Sequence, residues 1–272
     1  MSRRWRGKKS LCLQYPLPVG YSSTKGHVMM STKWYRKLVL GMIVLTMAMF
    51  SSCVMQQGLS LTQDRSGWAT TDLYVYDFFL TVLEDFEPFA PEEREKSIMD
   101  ASIDDFVNQL HATASASNIA STKIGSNGYF IDFTFSSLEN LLNDLNRRQP
   151  QSIVRITRSA TATTLVIHLD LENYPQLTRM IPFLADPNFE TFGPLYNEGM
   201  SEEEYLDMIS YILGEDGPSS ITDSVISLRL TTPSVIRSQK GGVREGPNSI
   251  RFDIPLIEFL LLAQPIEFSA TW

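Results

Sequence analysis

The run His168-Leu169-Asp170-Leu171-Glu172 gathers an imidazole and two carboxylates within five residues. On an extended strand side chains alternate, so His168, Asp170 and Glu172 would share one face while Ile167, Leu169 and Leu171 share the other. Such a row is a donor set for a divalent metal, and His168 there would be the base of a hydrolase. Any half-buried strand with a solvent face produces the same alternation, and that plainer reading is the one taken. No metal and no other cofactor is therefore expected, and the chain is not expected to be an enzyme. The remaining chemistry-bearing positions point the same way. His111 falls at the end of a helix pattern, where an imidazolium suits the helix dipole. Asp104 and Asp105, like Glu202 to Glu204, read as first-turn helix charges. The sequence holds no G-x-S-x-G, H-E-x-x-H, Walker or G-x-G-x-x-G motif.

Cys53 is the other reactive position. Lys33, Arg36 and Lys37 form a basic region, Leu38 to Phe50 is an uncharged apolar run, and Ser51-Ser52 stand just before the cysteine. The apolar run is shorter than the roughly 20 residues of a spanning helix and fits the h-region of a secretory signal. The segment resembles a bacterial lipobox in which Phe50 replaces the usual Leu, and the resemblance implies that the Cys53 thiol carries diacylglycerol. Two or three acyl chains anchor a protein stably where one does so marginally. Residues 1–29 have no periodic apolar pattern and read as a non-structural extension, with synthesis starting at Met29 or Met30. Residues 30–52 are then the lipoprotein signal peptide, 53–58 a tether and 59–272 a single domain. The location implied is the cell envelope, with the protein lipid-anchored in the periplasm or at the outer membrane.

Charge divides at the same cysteine. Residues 1–52 hold nine Lys or Arg and no Asp or Glu, which leaves 14 basic against 31 acidic residues after them, a formal charge of −17. A domain so acidic, with no dense basic run beyond Lys37, is not expected to bind nucleic acid. Cys12 and Cys53 are the only cysteines, so no disulfide is available inside the domain and its stability rests on packing.

The elements that must position these residues read as strand, strand, helix in three rounds. Leu59 and Leu61 lead into the turn Asp64-Arg65-Ser66-Gly67, with Gly67 expected at positive φ, and Trp68 to Leu83 is the return strand. After Pro88 and Pro91, with Glu92, Glu93 and Glu95 at the expected helix start, the set Met99, Ile103, Phe106, Val107 and Leu110 falls on one helical face. Asn118 to Ile124 and Tyr129 to Phe135 form a hairpin, followed by a Ser136/Glu139 capping box and a leucine-rich helix. Ile153 to Ile156 and Thr164 to Leu171 pair next, before a short helix from Tyr174 to Leu184 interrupted at Pro182. Ser201 caps a helix with Tyr205, Met208, Ile209 and Ile212 on its buried face, and Gly214 stops it. Strands are expected at Val225 to Leu230, Ser234 to Ser238, Ile250 to Ile254 and Ile266 to Trp272, with a Lys240-Gly241-Gly242 turn. The fold class is α+β, an antiparallel curved sheet built from hairpins with helices on one face.

Leu256 to Leu262 is apolar nearly all round, and Tyr74 to Leu83 is similarly dense. A segment of that kind must be covered by core, partner or ligand. Tyr74, Tyr76, Phe78, Leu256, Phe259 and Leu260 are accordingly the candidates for an apolar groove, with a lipid or other amphiphile as ligand and a docked protein partner as the alternative.

Several of these features together resemble spirochaetal lipoproteins: the lipobox Cys53, the Asp64 to Gly67 turn, Asp104-Asp105-Phe106, the Phe133 to Leu138 step and a terminal strand ending in Trp272. More distantly they resemble the LppM-type domain of bacterial envelope lipoproteins, over most of residues 53–272. The LppM resemblance implies an α+β envelope domain that binds lipids or glycolipids. That type commonly continues past its final Trp strand into a transmembrane helix, whereas this sequence ends at Trp272, so the anchor would be Cys53 alone. No catalytic residue of that type is matched.

Overall fold

The computed structural model describes residues 53–75 and 96–272. The expected signal peptide at 30–52, the expected 1–29 extension, Tyr76, Phe78 and the Pro88 to Glu95 stretch lie outside the described residues. Among those described, no helix is long and apolar enough to cross a membrane.

The three expected rounds are present. β1 (Cys53–Leu61) and β2 (Gly67–Tyr74) precede α1 (Ile98–His111). β3 (Ala116–Ile124) and β4 (Gly128–Phe135) precede α2 (Leu138–Leu145), and β5 (Val154–Arg158) and β6 (Thr163–Leu169) precede α3 (Tyr174–Met180). A 3-10 turn at Pro182–Ala185 and a one-turn α4 (Pro187–Glu190) lead to α5 (Glu202–Leu213) and α6 (Asp216–Thr222). β7 (Val225–Thr231), β8 (Ser238–Lys240), β9 (Val243–Gly246), β10 (Ser249–Pro255), α7 (Leu256–Leu261) and β11 (Ile266–Thr271) complete the chain.

The α+β class holds, but the strands divide between two sheets instead of forming one, in the orders β3-β4-β2-β1-β7-β10-β9 and β5-β6-β11-β8. The larger sheet also contains a parallel pair, β1 with β7. The third hairpin founds the smaller sheet because its buried residues, Leu165 and Leu169, pack into the same core as Leu61, Ile131 and Phe133 of the larger one. Gly241 and Gly242 carry the chain from one sheet to the other in two residues. Both have positive φ, and a Cβ on Gly241 would meet Phe268 at 2.6 Å and one on Gly242 would meet Phe252 at 2.4 Å. Their bareness lets the Phe252 and Phe268 rings stack with centroids 4.7 Å apart across the inter-sheet gap.

The expected tether at 53–58 is strand. Met55 to Gly58 pairs antiparallel with Leu73 to Thr70 and parallel with Ile226 to Arg229, so the segment lies in the middle of a sheet. The polar residues Gln56 and Gln57 hid it, although Gln57 accepts a 2.9 Å hydrogen bond from the buried Thr71. In the β1–β2 turn the positive φ belongs to Arg65, at 81°, and not to Gly67. Gly67 is needed for space: a Cβ there would lie 2.0 Å from the Ser60 carbonyl oxygen.

Caps shift by small amounts. α1 starts behind Ser97, whose hydroxyl accepts from Asp100 N, and α2 behind Ser137 rather than Ser136. Ser201 caps α5 as expected, and Glu204 completes a capping box with it. The strand expected at Ser234 to Ser238 is mostly loop, because Thr232 N and Ile236 N donate across to the Asn248 and Pro247 carbonyls. α6 was not expected. Its sequence DGPSSIT has no apolar period, and it packs through the absence of a side chain at Gly217, where a Cβ would lie 2.9 Å from Leu213 Cβ.

The placement of β1 yields a prediction. A chain beginning at Leu59 lacks half of the pairing that joins β2 to β7 and is expected to lose its cooperative urea transition in circular dichroism. A transition midpoint equal to that of a chain beginning at Cys53 would make residues 53–58 a tether after all.

Candidate functional site

Two apolar clusters meet at one end of the larger sheet. The main core lies between the sheets and under α1, α2 and α3, and a satellite of Phe192, Tyr205, Ile209, Leu213, Ile257 and Leu261 joins α5 to α7. The seam between them is not filled. A cavity of about 190 Å³ remains there, walled by Met55, Leu73, Val75 and Ile226 from the sheet, Met99 from α1 and Tyr174 from α3. Phe192, Tyr205, Ile209, Leu213 and Ile221 supply the helical wall, and Leu256, Phe259 and Leu260 of α7 close the side facing Tyr174. The Tyr174 and Phe259 rings are tilted together with centroids 6.1 Å apart.

The cavity is uncharged. Tyr205 donates its hydroxyl proton to the Phe192 carbonyl at 3.0 Å, and burial, then the neighbouring Tyr174, pushes its pKa upward. Burial, then Glu190, pushes the Tyr174 hydroxyl up to about 12. Both phenols remain neutral at any physiological pH, so the walls favour hydrocarbon. An apolar cavity near 150 Å³ admits benzene; one of about 190 Å³ admits a hydrocarbon segment of that order and not a whole phospholipid.

Leu256, Phe259 and Leu260, three of the expected groove residues, line this cavity. Tyr74 is a correction. The pleat turns Leu73 and Val75 inward, while Tyr74 is 47% exposed on the opposite face of β2, the face that carries the exposed Trp68 at the other end of the strand. Helix α5 and the Phe192 loop were missed as walls, although the i, i+4 spacing of Tyr205 and Ile209 marked a buried face. What that face packs against was not encoded locally.

The His168 row does not form. β6 ends at Leu169, and Asp170 enters a turn in which it accepts from Asn173 N at 2.9 Å while Asn173 Oδ1 accepts from Asp170 N at 3.0 Å. Asn173 also donates to the His168 carbonyl. His168 Nε2 meets Asp170 Oδ2 at 3.0 Å, but Glu172 leaves the strand direction and the second acid near the imidazole is Glu267, 4.0 Å from Nδ1. Among the described residues no three His, Cys, Asp or Glu side chains gather as a metal site. Cys53 opens β1 and Met55, two residues on, lies on the cavity.

No family model and no curated protein matches the chain. Among solved structures it is similar to the folded domain of LppM from Mycobacterium tuberculosis, determined by NMR, with 12% identity and a TM-score of 0.34 over 80% of this chain and 89% of that one. That neighbour is of the type the sequence resembles. At so low a score the overlap is one of element content, and neither an activity nor the spirochaetal resemblance follows from it.

The Asp170 turn is testable. The Asn173 amide, then His168, holds the Asp170 carboxyl below the ordinary carboxylate range. A lowered pKa stabilises the fold above the ordinary value and the contribution fades as pH falls through the lowered one. Asp170→Ala is expected to cost less than about 1 kcal/mol in urea denaturation at pH 7, because the group is well solvated, and the difference should shrink steadily below about pH 4. A difference that persists unchanged at pH 2 would contradict this.

Proposed function

We propose that this chain is an envelope lipoprotein, anchored through acylated Cys53, whose α+β domain binds the hydrocarbon part of a lipid or other amphiphile. The observation that carries this reading is the apolar, uncharged cavity of about 190 Å³ at the seam of the two clusters. It lies at the end of the sheet where β1 begins at Cys53, so an anchor there would hold the cavity mouth close to the membrane surface. Ligand uptake from a bilayer then requires only a short transfer. The periplasm or the outer membrane is the location that goes with the anchor. Docking of a protein partner is the second reading, favoured by Trp68 and Tyr74, which are exposed at the two ends of the outer face of β2.

Two outcomes are expected. Cells grown with an alkyne fatty acid should label the protein, and Cys53→Ala should abolish the label; a label that survives the substitution removes the anchor from the proposal. The chain from residue 53 with Cys53→Ser should bind a fluorescent fatty acid, and Leu260→Trp, which pushes an indole into the cavity, should weaken binding at least about tenfold with no loss of thermal stability. Tyr74→Ala should leave the affinity unchanged. Equal affinities for all three proteins would place the probe elsewhere.

A further inference from the structure

At the other end of β1 a second concavity of about 350 Å³ lies between the two sheets, with Leu61, Ile156 and Trp272 as its apolar floor. Three separate segments bring an arginine to it: Arg65 from the β1–β2 turn, Arg158 from the end of β5 and Arg237 from the loop before β8. No Asp or Glu is among the lining residues. The nearest acid in sequence, Asp64, is turned away into its own loop, where Ser66 Oγ donates to it at 2.8 Å and Thr62 Oγ1 also donates. Arg237 gives one N–H to the Thr161 carbonyl at 2.6 Å. Among the described residues none of the three guanidiniums makes an ion pair, although Lys96, Lys123, Arg229, Lys240 and Arg251 all do.

This grouping is unexpected in a domain of 14 bases and 31 acids. Cations in such a domain find carboxylates easily, and three that share one concavity without an acidic side chain repel one another. Arg65 also holds a left-handed backbone, φ 81°, that a non-glycine residue adopts only at a cost.

We propose that this pocket binds a phosphoryl group. Even if a terminal carboxylate at Trp272 is counted, the three arginines against it leave a local charge of +2. A carboxylate ligand would neutralise half of that. A phosphate monoester carries about −1.5 to −2 and three acceptor oxygens, which matches both the charge and the several forked donors that guanidiniums present. The site stands apart from the hydrocarbon cavity, since Leu61 and Met55 lie six residues apart on one strand, about 20 Å. It does not depend on the lipid-binding reading.

The full chain in detergent, titrated calorimetrically with inorganic phosphate and with glucose 6-phosphate at low salt, should show saturable binding. The double variant Arg158→Gln/Arg237→Gln should weaken it at least about tenfold, while Arg155→Gln, on the same strand but outside the pocket, should not change it. Arg65→Gly should also weaken binding without lowering the melting temperature, because glycine suits that backbone. Sedimentation of the unacylated protein, the chain from residue 53 with Cys53→Ser, with phosphatidic acid vesicles separates the sources: loss of vesicle binding when Arg158→Gln/Arg237→Gln is added, with no response to soluble phosphates, assigns the phosphoryl group to a lipid. Absence of saturation in every arm, or an unchanged affinity in the double variant, overturns the proposal.

Discussion

Strand β1 has hydrogen-bonded neighbours on both edges, β2 antiparallel and β7 parallel. Every backbone group in such a strand must be paired or pay the cost of burial without a partner, so the register of β1 fixes two halves of the molecule at once. On one side it sets β2, β4 and β3, and on the other β7, β10 and β9. The parallel contact joins residues about 170 positions apart in sequence, and the rest of the domain is threaded between them. The smaller sheet, α1 to α3 and the helical satellite are all held by a pairing that no local pattern announces.

That closure explains why the two functional candidates sit at opposite ends of one strand. Where β1 begins, the chain enters the sheet from α6 and leaves it through α7; Ile221, Ile257 and Leu261 belong to the satellite cluster, while Phe259 packs against the main core. Two independently packed clusters meeting along a seam seldom match as well as one continuous core, and the space they leave is apolar because both contributing faces are. Where β1 ends, the tight turn, the β5–β6 turn and the loop before β8 converge. Turns carry polar residues for conformational reasons, and here three of those residues are arginines.

The outer face of the larger sheet shows how the acidic surface is managed elsewhere. Glu245 accepts from both Arg229 and Arg251, Arg251 also meets Asp253, and Asp253 accepts from Ser227 at 2.8 Å. On α1, Asp100 accepts from Lys123 and Tyr129; burial raises its pKa, but these bonds and the Ser97 hydroxyl outweigh it and the carboxyl stays below its ordinary range. Such exposed networks fix orientation more than they stabilise. They also leave the arginine pocket as a distinct electrostatic feature, not one instance of a general basic surface.

The division between sequence and structure follows the range of the interactions concerned. The sequence by itself determined the elements whose signals are local: the three hairpins and their helices, the Ser201 cap, the turn at Gly241-Gly242, the apolar density of Leu256 to Leu260 and the strong acidity after Cys53. Those signals live within one or two turns of chain, where periodicity and capping act. The tertiary structure alone decided that 53–58 is a central strand, that the strands form two sheets, that Tyr74 faces solvent, that the His168 row is broken by a turn at Asp170, and that Arg65, Arg158 and Arg237 share a pocket. Apart from the Asp170 turn, which Asn173 closes within three residues, each of these depends on partners far away in sequence. A strand's pairing, a pleat's inward side and the convergence of loops are settled by packing against distant residues.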